Sequence, residues 1–236
     1  MTLHEWSRRI AALGQFRVVD PAVPVLTRDD EHHLRRVLRA SAGEEVVVTN
    51  GGGDWSFATV TDEGLVRASD VVADPALDPI TLYLAPVKGE RGEWAIAKAT
   101  ELGVTRVVPL VCERLAIKFR GDFATKTLAR WRRIAHESAG QCRRTRDLLI
   151  DEPVRVADVP GGVAVADFGG HGAWETVRAV AIGPEGGWAP GEWDEARERV
   201  GLGSTVLRAE TAAVAAATLM AAARDGWGFT ETTANR

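Results

Sequence analysis

Two hydrophobic textures divide the chain. From Phe16 to Val72 the apolar residues come in short runs closed by turn-forming residues. Phe16–Val19 and Val23–Leu26 predict extended segments. Asp30–Leu38 predicts a short helix, capped by Asp29 or Asp30, with Leu34, Val37 and Leu38 on one face. Glu45–Thr49 and Trp55–Thr61 read as the arms of a hairpin about Asn50-Gly51-Gly52-Gly53. Val66–Val72 is one more strand, and Met1–Gly14 ahead of them all has a helical texture. Closely spaced strands joined by tight turns predict a small β-barrel over 1–74. Asp74–Pro79 holds two prolines and no periodicity, so the linker is expected there.

From Ile80 the texture becomes strand–helix alternation, which predicts an α/β domain with a mostly parallel sheet over 80–236. The expected strands are Ile80–Ala85, Val104–Leu110, Val163–Phe168, Ala179–Ile182 and Ser204–Leu207. The expected helices are Arg91–Leu102, ended by Gly103, then Thr125–Gln141, Pro190–Val200 with its acids early, and the Ala-rich Glu210–Ala223.

Apolar content is ordinary and sufficient for a real core. No apolar run reaches the ~20 residues of a membrane span, and the charged first residues carry no secretory signal. Cys112 and Cys142 have neither metal-ligand spacing nor a disulfide framework. His32 and His33 lack companions for a zinc site. The expectation is a cytoplasmic protein with reduced thiols, no metal and no membrane partner.

Net charge is −4 over 236 residues, yet the charge is unevenly spread. Between Arg114 and Arg146 ten Lys/Arg face two acids, Asp122 and Glu137, a local excess of +8. Arg28, Arg35, Arg36 and Arg39 with His32 and His33 form a second basic string. Such patches suit a polyanion, and equally an ordinary solvated helix face.

Three glycine-containing turns follow three predicted strands. They are Asp167-Phe168-Gly169-Gly170, Gly183-Pro184-Glu185-Gly186-Gly187, and Leu202-Gly203 leading to Val206-Leu207-Arg208. In parallel α/β sheets ligands bind beyond the carboxyl ends of strands, so three such turns predict one pocket. Glycines there allow positive φ and a close backbone approach. No Gly-x-Gly-x-x-Gly follows the first strand and no Gly-Lys-Ser/Thr occurs, which argues against an ordinary dinucleotide site and a P-loop.

Six segments in order carry a family resemblance. They are His32-His33-Leu34 with Val37-Leu38-Arg39; Lys98-Ala99-Thr100-Glu101-Leu102-Gly103-Val104 before Pro109; Arg130-Trp131; Glu137 with Gln141 and Arg144; Ile182–Gly187; and Leu207-Arg208 with Glu210-Thr211-Ala212. Together they cover about residues 30–220. On them the chain resembles the 16S ribosomal RNA (uracil-N3)-methyltransferases, a branch of the SPOUT superfamily. The resemblance implies a PUA-like barrel that binds RNA, a SPOUT α/β domain with a trefoil knot, S-adenosylmethionine as methyl donor, and a homodimer acting on the small ribosomal subunit. The chain departs from the family pattern at Ser204-Thr205, at Ala209, at Leu148 and in its N-terminal extension.

The residue types suit that chemistry. Uracil N3 is an imide nitrogen on the Watson–Crick edge, so the base must be unpaired and lose a proton. The resemblance puts Arg208 in the role of stabilising the imide anion. Glu185 would accept the proton or hold the donor's cationic end. The donor site would comprise Phe168, Gly169, Gly183, Pro184, Glu185, Gly187, Leu202, Leu207, Thr211 and Ala212. RNA contacts would come from His33, Arg36, Arg39, Arg132, Arg133, Gln141 and Arg144. Two alternatives are a SPOUT ribose 2′-O-methyltransferase and a non-catalytic RNA-binding relative. Lys98–Gly103 stands where the first usually carries an Asn/Arg motif, and a pure binder has no need of the glycine loops.

Overall fold

The computed structural model describes residues 3–227, in two compact units. One runs to Leu77 and includes His136–Asp147; the other takes Asp78–Ala135 and the chain from Leu148 onward. The change of texture at Ile80 predicts one domain over all of 80–236, whereas contacts group His136–Asp147 with the first unit.

The first unit opens with α1 (Leu3–Ala11), within the segment of helical texture. A five-stranded sheet follows: β1 (Gln15–Arg17), β2 (Glu45–Thr49), β3 (Asp54–Thr61), β4 (Gly64–Arg67) and β5 (Val72–Ala73). Its order is β1-β2-β3-β4, with β5 also on β3; β1 lies parallel to β2 and the remaining pairs are antiparallel. The period of two decides which side chain goes where. Val46 and Val48 join Phe16, Val18, Leu34, Ala58 and Val60 in one core cluster, while Val47 joins Ala12, Trp55 and Phe57 in another. Asp74 gathers the unit's edge, accepting hydrogen bonds from Arg9 Nη1 (2.8 Å), Trp55 Nε1 (2.9 Å) and Thr145 Oγ1 (2.6 Å).

Three expectations change here. Val23–Leu26 pairs with nothing and is irregular. The short helix begins earlier, as α2 (Arg28–His32), because Thr27 rather than an aspartate caps it: its Oγ1 accepts from Asp30 N–H at 3.1 Å. It continues through a widened, π-type turn over His33–Val37. Val66–Val72 splits into β4 and β5 because Ser69 Oγ, rather than a strand carbonyl, takes the Phe57 N–H.

The second unit contains β6 (Thr81–Leu84), α3 (Glu90–Glu101), β7 (Arg106–Val111), the start of α4 (Gly121–Gln141), β8 (Leu149–Ile150), β9 (Val154–Arg155), β10 (Ala164–Ala166), β11 (Ala179–Ile182), β12 (Arg199–Val200) and α5 (Ala209–Asp225). Its strands form one sheet of order β12-β10-β11-β6-β7-β8, with β9 also on β7, and every pairing is parallel. Strands covered on both sides are apolar throughout, as Leu82, Leu84, Val107, Val180 and Ile182 show. α5 places Ala209, Ala212, Ala213, Ala216, Ala217 and Ala221 at helical spacing on its buried side, so it packs closely on α3, β6 and β11. Gly103 ends α3 at φ +76°, and its carbonyl accepts from Arg224 of α5 at 2.9 Å.

Two expected elements are absent. Pro190–Val200 is a chain of turns that ends in β12, not a helix. Gly191 at φ +73° breaks the first helical turn, the Asp194 side chain captures the Ala196 N–H, and pairing with β10 claims Arg199 and Val200. Ser204–Leu207 is a loop rather than a strand; Gly203 at φ +113° redirects the chain into α5, with Val206 88% exposed.

Candidate active site

β12, β10 and β11 are neighbours in a parallel sheet, so their three following loops leave from one edge. Between them lies a cavity of about 200 Å³. Its floor is apolar, from Ile182, Leu202, Leu207, Ala209 and Ala212, and its rim carries Asp167, Glu185 and Thr205. The first turn of α5 adds its positive dipole end to the wall.

Side chains inside the second unit brace each loop. Trp188 Nε1 donates to Ala166 O at 3.0 Å, and its indole packs edge-on against Trp193 at 5.2 Å between ring centres. Trp174 Nε1 donates to Gly201 O at 2.9 Å. Asp167 is paired with Arg199 and accepts the N–H of Phe168. The glycines serve two different ends. Gly187 needs its positive φ of +67°. Gly183 does not; it needs space, because a Cβ there would lie 3.0 Å from Trp188 Cε2.

Of the ten residues expected to hold a cofactor, eight line the cavity: Phe168, Gly183, Pro184, Glu185, Gly187, Leu202, Leu207 and Ala212. Gly169 turns the chain away at φ +80°, and Thr211 lies on the exposed side of α5. Arg208 is the residue before α5, exposed, between the lining residues Leu207 and Ala209.

Glu185 has a partner that sequence reasoning missed. Arg91 Nη2, in the first turn of α3, lies 2.9 Å from Glu185 Oε1, and Arg91 Nη1 lies 3.7 Å from Glu210 Oε2. No local pattern linked Arg91 to either carboxylate, since the three residues sit on separate elements. Trp188 was also missed, although its place directly after Gly187 was a usable signal.

The residues expected to contact RNA are less uniform. His33, Arg36 and Arg39 are exposed, with the His33 ring edge-on to Phe16 at 6.2 Å and Arg39 at φ +56°. Arg132 is already engaged with Glu152 and the Ile150 carbonyl. Arg133 and Gln141 are exposed, while Arg144 is half-buried and donates to the Arg146 carbonyl. The basic run is thus partly neutralised, with Arg130 held by Glu93 and Arg146 donating to the Gly52, Asp74 and Pro75 carbonyls. The run is also divided between the two units.

Burial, with some help from Glu192, pushes the Cys112 thiol up to about 12, which makes it an inert core residue. Among the described residues no three His, Cys, Asp or Glu gather as a metal site, and no helix is long and apolar enough to cross a membrane.

Known proteins resemble this chain over both domains. An RNA methyltransferase domain model matches residues 74–221, and an RNA methyltransferase PUA domain model matches 26–66. Ribosomal RNA small subunit methyltransferase E of Mycobacterium bovis is 32% identical over 223 residues, covering 83% of this chain and 84% of its own. A methyltransferase of Legionella pneumophila, solved with the cofactor SAM, superposes with a TM-score of 0.76 at 26% identity, covering 89% of this chain and 97% of its own. Ribosomal RNA small subunit methyltransferase E of Neisseria gonorrhoeae, solved with S-adenosyl methionine, gives 0.71 at 25% identity over 88% of this chain and 96% of its own. With one domain model covering the parallel sheet, its cavity and most of α5, and a second covering much of the antiparallel sheet, this chain belongs to the RNA methyltransferase family that carries a PUA domain ahead of the methyltransferase domain.

Proposed function

We propose that the protein transfers a methyl group from S-adenosylmethionine to N3 of a uridine in 16S ribosomal RNA of the small subunit. The observation that carries the reading is the cavity at the carboxyl edge of β12, β10 and β11. Its residues fit the donor. Ile182, Leu202, Leu207 and Ala212 offer an apolar wall, Gly183 and Gly187 bare backbone, and Glu185 a carboxylate for a cation.

When bound, S-adenosylmethionine supplies a methyl group activated on a positive sulfonium. The chain's own residues then have three tasks. The glycine loops orient the donor and exclude water. Glu185, already held by a guanidinium, is suited to an electrostatic role toward the donor's cationic end. Arg208, flanked by two cavity residues, stabilises the negative charge that develops as N3 loses its proton. His33, Arg36 and Arg39 of the first unit hold RNA phosphates.

The trefoil knot and a homodimer belong to the same reading and rest on the family resemblance; a cytoplasmic location rests on the cysteine usage. Mass spectrometry of 16S ribosomal RNA from cells with and without the gene tests the methylation reading. The expected result is loss of one N3-methyluridine in the deletion, restored by the wild-type gene. An unchanged modification pattern, or loss of a ribose methyl instead, overturns it.

A further inference from the structure

Arg91 is shared between two carboxylates of unequal standing. Glu185 is at the cavity rim, its side chain 35% exposed, and takes the close contact at 2.9 Å. Glu210 is in the first turn of α5, its side chain 10% exposed, and gets only the long contact at 3.7 Å. Glu210 Oε2 is buried without a hydrogen-bond partner. A buried carboxylate oxygen left in this way retains an unmet demand for a donor. Arg91 itself stands at the start of α3, which packs along α5. One guanidinium thus joins the loop after β11, the start of α5 and the start of α3.

We infer that Arg91 is a positioning residue that changes partner on donor binding, releasing Glu185 to the donor's cationic end and closing on Glu210. The inference rests on the cavity being the donor site. The guanidinium has separate nitrogens facing the two carboxylates, so the exchange needs only a small shift of one side chain. Closing the 3.7 Å gap to hydrogen-bond distance satisfies Glu210 Oε2 and draws the start of α5 toward α3. Leu207 and Ala209 flank Arg208 at that start, so donor binding also fixes the backbone that carries Arg208. The exchange offsets the loss of the Arg91–Glu185 pair, which would otherwise compete with the donor for the same carboxylate.

The test is a double-mutant cycle read by calorimetry with S-adenosylmethionine on the full chain. Glu210→Gln removes the second partner, keeps Arg91 on Glu185, and raises the donor Kd about tenfold, within the range of directly coupled residues. In an Arg91→Gln background the same Glu210→Gln change leaves Kd unaltered, because no competition remains. A role confined to holding the fold predicts the opposite, with the double variant as weak as the weaker single variant or worse. Should Glu210→Gln fail to fold, Glu210→Asp lengthens the contact without discharging it and carries the same expectation in smaller measure. An unchanged Kd in Glu210→Gln, or an equal rise in both backgrounds, overturns the exchange while leaving the donor site intact. No heat with the wild-type protein overturns the donor reading and the exchange together.

Discussion

Gly183 offers the sharpest test of how the cavity is built. A Cβ at this position would sit 3.0 Å from Cε2, 3.1 Å from Cζ2 and 3.3 Å from Cδ2 of Trp188. Carbon pairs prefer about 3.5–4.0 Å, so in Gly183→Ala the indole must retreat by a few tenths of an ångström. Two contacts oppose that shift. Its Nε1 is bonded to the Ala166 carbonyl and its edge meets Trp193. Overpacking costs about 1–3 kcal/mol, and a weakened hydrogen bond adds about 1 kcal/mol. For a chain of this size that corresponds to a melting temperature lower by about 5–10 °C. Ala166 and Trp188 both line the cavity, so the donor Kd rises at least about tenfold with it. Scanning calorimetry and donor titration on Gly183→Ala measure both quantities. Adding Trp188→Phe removes the atoms in conflict, so the double variant loses less than the sum of the singles. A Gly183→Ala protein with wild-type melting and wild-type affinity would refute the claim that this glycine exists for space.

Three further outcomes are expected. Arg208→Ala lowers single-turnover methylation about 10²–10³-fold while donor affinity stays near wild type, as expected for a contact made to charge developing in the transition state; near-normal turnover removes Arg208 from the chemistry. Arg36→Ala and Arg39→Ala each flatten the log–log salt dependence of RNA binding by about 0.7, whereas Arg132→Ala, already engaged by Glu152, flattens it less; wild-type slopes in Arg36→Ala and Arg39→Ala make that basic string a solvated face. Burial would raise the Asp74 carboxyl, but hydrogen bonds from Thr145, Arg9 and Trp55 outweigh it and hold the group below its usual value. A lowered folded-state value means stability present above the unfolded carboxylate's ~3.9 and lost as pH falls through the folded one. Asp74→Asn is therefore less stable at pH 7 and loses less on acidification below about pH 4; parallel melting curves for variant and wild type down to pH 3 would contradict this.

The cavity was legible because glycine turns after buried strands leave a local mark. Ala179–Ile182 and Glu45–Thr49 appear with the bounds their sequence texture implies. The misreadings share a cause. The acids of Glu192–Glu195 favour a helix start, yet Glu192 spends its carboxylate on the N–H groups of Glu113 and Ala189, and Arg199-Val200 is claimed by β10. Such long-range partners leave no periodicity to read. Arg91 was hidden for the same reason, since its value lies in two carboxylates on other elements. A count of charges likewise cannot show that Arg130 and Arg132 are already paired.

The strand order of the second sheet also governs how the molecule is made. β6 and β7 can pair once both have left the ribosome, but the other flank of β6 waits for β11, whose Ala179 pairs with Thr81 across most of the intervening domain. Until then Leu82 and Leu84 sit on an unpaired, strongly apolar edge, the kind that recruits other chains. The cavity beyond β12, β10 and β11 lies wholly on the side of the sheet added late. Synthesis rate and chaperone supply should accordingly govern the yield of binding-competent protein more than the yield of folded antiparallel sheet, whose neighbouring strands are nearly all consecutive in the chain.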